Sequence, residues 1–150
     1  MAKEGALRLL TPGELRLGKE IFRDAITWHK VWIHHGSYLP FGLQNQKVAM
    51  SPDGEIYFRE WYRRDFSLEP PELQHLFIHE LSHVWQRETG MNVIARGLFS
   101  WAVDYDYKLG RRRLRQYSME QQAQIIADYF LLKNLATKHG FLQRKTRALR

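Results

Sequence analysis

Residues 71–88 read PELQHLFIHELSHVWQRE and are the most informative stretch of the chain. Large apolar side chains recur along it at intervals of three and four, which is the spacing of one face of an α-helix. Pro70 and Pro71 end the preceding segment and favour the start of a helix, and Gly90 favours its end. The pattern therefore predicts a long and largely buried helix.

Within this predicted helix, His79, Glu80 and His83 form an H-E-x-x-H pattern. Residues four apart lie on one helix face, so both imidazoles can reach the same ion. Zinc in enzymes commonly binds two histidine nitrogens and one carboxylate, and a water occupies the fourth position. A glutamate beside the first ligand can take a proton from that water. We therefore predict zinc as cofactor, with His79 and His83 as ligands and Glu80 as general base.

The third zinc ligand is predicted on the last helix of the chain. This helix is expected to begin with the capping-box pattern at Ser118 and to run to about residue 138. Glu120, in its first turn, is the predicted ligand. Gln124 and Asp128 follow along one helix face and are expected to orient a ligand histidine. Glu120 and Asp128 lie about 12 Å apart along the helix axis, so they cannot both bind one zinc ion.

Other polar side chains near the motif are assigned different roles. His75 lies one turn before His79, but three ligands on one straight helix cannot surround an ion. We expect His75 at the rim of the site or buried with a hydrogen-bond partner. Amide hydrolysis also needs a donor to the developing oxyanion, and Tyr117 is predicted for this catalytic role because it precedes Glu120 by about one turn. Further candidates are Tyr105, Tyr107 and the arginines of residues 111–115.

The remaining sequence predicts an α+β domain. Residues 11–14 form a capping-box pattern with Pro at the first helical position, which predicts an N-terminal helix of about a dozen residues. Side chains from Trp28 to His35 favour a strand, and we expect the two histidines at its end to lie at the surface. Residues 48–50 and 56–58 flank a Pro-Asp-Gly turn and predict a hairpin. The predicted order is the N-terminal helix, a small antiparallel sheet, the H-E-x-x-H helix and a C-terminal helix that carries the third ligand.

Composition excludes several classes of protein. With 150 residues, of which 44% are hydrophobic and 26% charged, the chain is expected to form a single folded domain over residues 1–150. It has no cysteine, so disulfides and thiolate metal sites are excluded. We expect no transmembrane segment and no signal peptide, hence a protein made in the cytoplasm. Lys+Arg 23 against Asp+Glu 16 gives a net charge of +7, which favours anionic partners.

Residues 31–86 resemble the metallopeptidase-like domain associated with contractile injection systems and polymorphic toxins. In that family a strand and a hairpin lead into a helix with the pattern H-E-[LM]-[ST]-H-V-x-Q, and residues 79–86 read HELSHVWQ. The sequences LFIHE at 76–80 and EQQA at 120–123 are similar to small bacterial proteins labelled Vgr-related or Rhs-element. The resemblance extends over residues 10–130.

This resemblance implies a zincin-like fold, with zinc held by His79, His83 and Glu120 and with Glu80 as the catalytic base. It also implies a role as an effector or toxin of type VI or related secretion, or a role beside such an effector. A secretion-system protein and an immunity protein are then expected partners. Gln124 departs from the commonest zincin pattern, in which an Asp stands four residues after the ligand Glu.

Three functions remain open on the sequence. The first is a zinc-dependent hydrolase of amide bonds in a protein or in the peptide crosslinks of a cell wall, with the strand at residues 56–59 pairing with an extended substrate. The second is a non-catalytic zinc-binding adaptor or loading module of a secretion system. The third is nucleic-acid binding by basic residues interleaved with aromatic ones between residues 105 and 115, although no fold signature of nucleic-acid binding is present.

Overall fold

The computed structural model describes residues 3–97 and 105–148. The strands are β1 (Leu7–Leu9), β2 (Trp32–His35) and β3 (Ile56–Phe58), and the helices are α1 (Pro12–Phe22), α2 (Pro71–Glu88), α3 (Val93–Gly97) and α4 (Met119–Ala148). Helix α2 has the predicted bounds, and α4 begins where its capping box predicts. None of the helices in the described ranges could span a membrane.

Helix α1 begins with the predicted capping box. The Thr11 hydroxyl accepts a hydrogen bond from the Glu14 amide at 3.1 Å, and the Glu14 carboxylate accepts one from the Thr11 amide at 2.9 Å. Glu14 is fully buried and also receives the Arg8 guanidinium at 2.7 and 2.9 Å and the Phe66 amide at 2.8 Å. One carboxylate thus joins β1, α1 and the segment that precedes α2.

The sheet is mixed, so the predicted antiparallel sheet is wrong for one of its two strand pairs. Strands are ordered β1-β2-β3, with β1 antiparallel to β2 and β2 parallel to β3, where Ile33 lies opposite Ile56. The reason is the long connection formed by residues 36–55. It carries the chain back to the beginning of β2 before β3 begins, so the two strands run in the same direction. The predicted hairpin is reduced to a bridge between Met50 and Tyr57, with backbone hydrogen bonds of 3.0 and 2.8 Å.

The core lies where α2 packs against the sheet on one side and against α4 on the other. Its largest fully buried apolar side chains are Ile33, Ile56, Phe58, Phe66, Phe77, Ile78, Leu81 and Phe130. Ala123 and Ala127 of α4 are also fully buried, and their small side chains allow α4 to approach α2 closely. The motif helix is therefore the central element of the domain.

Three local expectations are corrected. Helix α4 continues through Gly140 to Ala148, because a glycine in a helix interior weakens the helix but does not end it. Residues 28–30 form a 3-10 turn, so the strand begins only at Trp32. His35 is 8% exposed, not at the surface, because its ring stacks on Tyr62 with centroids 4.5 Å apart.

Candidate metal centre

Helices α2 and α4 bring the three predicted zinc ligands together. His79 and His83 project from one face of α2 toward Glu120 in the first turn of α4, and their ligand atoms all lie within 4.8 Å of one another. The Nε2 atom of His79 is 3.1 Å from Glu120 Oε2, and the Nε2 atom of His83 is 3.3 Å from the same oxygen. All three side chains are buried.

These distances fit a tetrahedral zinc site. Zinc bonds of about 2.0–2.1 Å to nitrogen and oxygen place the ligand atoms of a tetrahedron about 3.3 Å apart. The two nitrogen–oxygen separations of 3.1 and 3.3 Å match that spacing without any movement of the helices. Two imidazoles and one carboxylate are also the donor set of many catalytic zinc sites.

Two glutamine side chains fix the orientation of both imidazoles through their Nδ1 atoms. Nδ1 of His79 lies 3.2 Å from Gln124 Oε1, and Nδ1 of His83 lies 2.8 Å from Gln86 Oε1. An amide oxygen only accepts hydrogen bonds, so each Nδ1 must donate, and each neutral ring then directs the lone pair of Nε2 at Glu120. The two Nε2 lone pairs and the Glu120 carboxylate repel one another unless a cation lies between them. The arrangement therefore favours a bound metal.

A proton on His83 can take the place of that cation when no metal is bound. Burial opposes a charge on His83, but its hydrogen bond to Glu120 and the charges of Glu80 and Glu120 outweigh burial and raise its pKa to about 9. Burial likewise raises the pKa of Glu120, but hydrogen bonds from His79 and His83 outweigh it and lower that pKa to about 2. At neutral pH a metal must therefore displace a proton from His83.

Gln86 ends the quoted H-E-[LM]-[ST]-H-V-x-Q pattern, but the sequence reasoning assigned it no role in the site. It is fully buried, and besides orienting His83 its amide donates to the Met119 carbonyl at 2.9 Å and to Gln122 Oε1 at 3.0 Å. It thereby connects a ligand on α2 to the first turn of α4. The signal was present, since a residue three positions after a ligand histidine lies on the same helix face.

Glu80 lies beside the three ligands at a cavity of about 230 Å³. Its Oε2 atom accepts a hydrogen bond from the Ser51 hydroxyl at 2.7 Å, which restricts rotation of the carboxylate. No sequence pattern singles out Ser51, because the long connection before β3 carries it to the site. Apart from the ligands and Glu80, the described residues that line the cavity are Tyr38, Leu39, Val48, Ala49, Met50, Ser51, Pro52, Val93, Ile94, Tyr105 and Met119.

Tyr105, rather than Tyr117, faces this cavity. The Tyr117 ring is buried and its hydroxyl donates to the Lys108 carbonyl at 2.9 Å, so the predicted oxyanion donor is directed away from the ligands. The Tyr105 ring lies 6.1 Å from the His79 ring. Burial, the negative charges of Glu120 and Glu80 and a hydrogen bond to Glu120 raise the pKa of Tyr105 to about 12, so its hydroxyl keeps the proton that a donor needs.

Asp128 does not contact a ligand histidine, in contrast to its predicted role. Its two oxygens instead bind His75 Nε2 at 2.8 Å and the Tyr107 hydroxyl at 2.5 Å. The physical reason is the helix pitch, which places Asp128 one turn beyond Gln124 and opposite His75. His75 is the hydrogen-bonded histidine that the sequence predicts.

Two further hypotheses meet a constraint in the structure. The outer side of β3 is occupied by the Met50 bridge and by the Gln44 amide, which donates to the Tyr57 carbonyl at 2.9 Å. The prediction that an extended substrate pairs with residues 56–59 is therefore blocked at Tyr57, whose backbone groups are already bonded. In the basic segment, the Arg112 guanidinium packs over the Tyr117 ring at 4.5 Å. This contact does not test nucleic-acid binding by the segment, which the sequence does not favour.

Comparisons with known proteins find similarity to a protein of a bacterial type VI secretion system. No protein-family model matches the chain. Over 136 residues, or 85% of the chain, it is 40% identical to the type VI secretion system spike protein VgrG2b of Pseudomonas aeruginosa. It spans only 13% of the length of that spike protein. The solved effector domain of Pseudomonas aeruginosa VgrG2b is similar with a TM-score of 0.77 and 39% identity, over 89% of this chain and 78% of that domain.

Proposed function

The chain belongs to the family of the VgrG2b effector domain, and from this premise we propose that it is a secreted effector with zinc-dependent amide hydrolase activity. The export route that we propose is type VI secretion, because the matching spike protein carries that description. A zincin-like fold is part of the proposal. It is supported by a central helix with two histidines four residues apart, packed against a sheet and against a second helix that carries a glutamate.

A single observation carries the enzymatic part of the proposal. Two Nε2 atoms lie at tetrahedral spacing from one carboxylate oxygen beside a cavity, and Glu80 lies at that cavity without being needed as a ligand. A purely structural zinc site is normally closed by four protein ligands and has no use for an adjacent base. The geometry therefore favours a catalytic site over the adaptor alternative.

The residues around the cavity have distinct roles in the proposed reaction. Zinc, when bound, would acidify a water and polarise the substrate carbonyl. Glu80, held by Ser51, would accept the proton of that water and deliver it to the leaving amine. Tyr105 would donate a hydrogen bond to the oxyanion that develops on the substrate. Gln86 and Gln124 would keep both imidazoles in the tautomer that can bind the metal.

Metal content of the purified protein tests the proposal. We expect about one zinc per chain in the wild type and its loss in His79→Ala and in Glu120→Ala. Asp128→Ala is the matched control, since this carboxylate lies on the same helix as Glu120 but contacts His75. Zinc loss in the control as well would indicate a general folding defect. A wild type that binds no zinc after reconstitution would contradict the hydrolase and favour an adaptor.

A further inference from the structure

The loop that follows β2 exposes an unusual number of apolar side chains. Leu39, Phe41 and Leu43 alternate along it, and they are 37%, 97% and 69% exposed. Single exposed leucines are common on protein surfaces, but an exposed apolar cluster marks a site of interaction more often than chance. The apolar loop, defined here as residues 39–43, is therefore a candidate contact surface.

The backbone of the apolar loop is held in an unfavourable conformation. Phe41 has a φ of 58° and a ψ of 25°, which is the left-handed region that bulky residues avoid. Such a conformation persists only where the surrounding structure imposes it, and it recurs at functional sites. The backbone strain here coincides with the most exposed aromatic ring among the described residues.

Buried and charged groups fix both ends of the apolar loop. Gln44 is 2% exposed, and its side chain accepts from the Tyr38 amide at 2.8 Å and donates to the Val48 carbonyl at 2.7 Å. The Arg59 guanidinium donates to the carbonyls of Gly42 and Gln44 at 2.9 and 2.7 Å. Phe41 is thus presented by an ordered loop, and a ligand would not have to order that loop on binding.

The apolar loop is continuous with the candidate active site. Leu39, its first residue, lines the same cavity as Glu80, together with Val48 and Met50. None of the described residues that line this cavity is a lysine or an arginine. Leu39 therefore places the first residue of the apolar loop at the cavity, and the exposed side chains of Phe41 and Leu43 follow within the next four residues.

We propose that the apolar loop is a substrate-docking surface for an extended protein segment with large apolar side chains. This inference rests on the proposed hydrolase function. The loop binds apolar side chains of the segment while a neighbouring peptide bond reaches Glu80. Cell-wall crosslinks fit this surface poorly, because their peptides carry mainly small and charged side chains. The structure thus favours protein over cell wall as the substrate.

Peptide binding to the zinc-loaded Glu80→Gln variant tests this docking surface without turnover. The probes are two twelve-residue peptides of equal charge, one with leucine and phenylalanine at alternate positions and one with serine and asparagine there. We expect the apolar peptide to bind at least tenfold more tightly. Adding Phe41→Asn should remove about tenfold of its affinity, and asparagine tolerates the positive φ, so the loop should stay folded. Leu68→Asn is the control, since this leucine is 82% exposed outside the loop.

The same variants separate failure of the docking surface from failure of the hydrolase. If the wild type binds zinc and cleaves the apolar peptide, and Phe41→Asn neither weakens binding nor slows cleavage, the docking proposal alone is overturned. If the protein binds neither zinc nor peptide, both proposals are overturned. If Phe41→Asn leaves peptide binding intact but abolishes attachment to phosphatidylglycerol vesicles, the loop is a membrane contact and the docking proposal is again overturned.

Discussion

Glu80 and Ser51 form a buried hydrogen bond of 2.7 Å between a motif residue and a residue that no motif contains. The serine hydroxyl satisfies one carboxylate oxygen and limits the orientations of the other. Proton transfer to a general base is faster when the reactive oxygen of the base is held within hydrogen-bond reach of the proton. At the residue scale, the site is thus defined by the ligands and also by the groups that hold them.

Replacing Glu80 by Gln should separate metal binding from catalysis. Glutamine preserves the shape of the side chain and a partner for Ser51, but it cannot accept a proton. Zinc content should stay near one per chain, while hydrolysis of an unfolded protein falls by about 10²–10⁴-fold. Metal analysis and a cleavage assay on the same preparation check both parts. Unchanged hydrolysis in Glu80→Gln would show that Glu80 is not the base.

Replacing Tyr105 by Phe should slow catalysis without loss of zinc. Removal of one oxyanion donor typically lowers kcat by about 10²–10³-fold. Tyr117→Phe is the control, because the Tyr117 hydroxyl donates to the Lys108 carbonyl away from the cavity. Its removal should lower only the free energy of unfolding, by about 1 kcal/mol. Steady-state kinetics with each variant make the comparison. Equal losses of kcat in both variants would argue against a specific role for Tyr105.

At the scale of elements, the pairing of α2 with α4 explains which site residues the sequence could predict. Successive turns of α4 contact successively earlier turns of α2. Glu120 contacts His83 and His79, Gln124 contacts His79, and Asp128 contacts His75. The helices are therefore antiparallel. Spacing within each helix is local information, so the candidate ligands were predictable from the sequence. The position of Asp128 depends on the register between the two helices, which the sequence does not show.

Long connections explain what the sequence could not predict. Ser51 and Tyr105 reach the cavity from irregular segments whose paths depend on contacts made elsewhere in the fold. The parallel pairing of β2 and β3 has the same origin, since a Pro-Asp-Gly turn favours a hairpin locally but the connection of residues 36–55 determines the strand direction. Of the predicted hairpin, only the bridge between Met50 and Tyr57 is formed.

The packing of α1 against α2 leads to a prediction about Gly18. A Cβ atom at Gly18 would lie 2.6 and 2.7 Å from ring atoms of Trp28 and 3.1 Å from Leu81. Gly18→Ala should therefore lower the free energy of unfolding by about 1–3 kcal/mol, although alanine favours helix formation. Gly36→Ala is the control, because nothing lies within 4 Å of its added Cβ. Urea unfolding of both variants checks this, and equal stability would show that the interface adjusts freely.

At the scale of the whole molecule, the candidate metal centre connects α2 to α4. His79 and His83 belong to α2, which packs on the sheet, whereas Glu120 begins α4. A metal that binds the folded state and not the unfolded chain stabilises the fold by mass action. The effect belongs to the molecule as a whole because its two ligand-bearing helices separate when the chain unfolds.

Zinc should consequently raise the melting temperature, and more so at higher pH. Zinc at one hundred times its dissociation constant adds about 2.7 kcal/mol, equivalent to roughly 5–10 °C for a domain of this size.

The raised pKa of His83, about 9, means that its proton stabilises the metal-free fold fully below pH 6.5 and that this stabilisation is lost as the pH rises through 9. Zinc competes with that proton, so its stabilising effect should grow between pH 6 and pH 8. Thermal unfolding at both pH values, with and without zinc, measures this effect. Glu80→Gln should retain the shift and Glu120→Ala should lose it. An equal shift at both pH values would mean that zinc displaces no proton from His83.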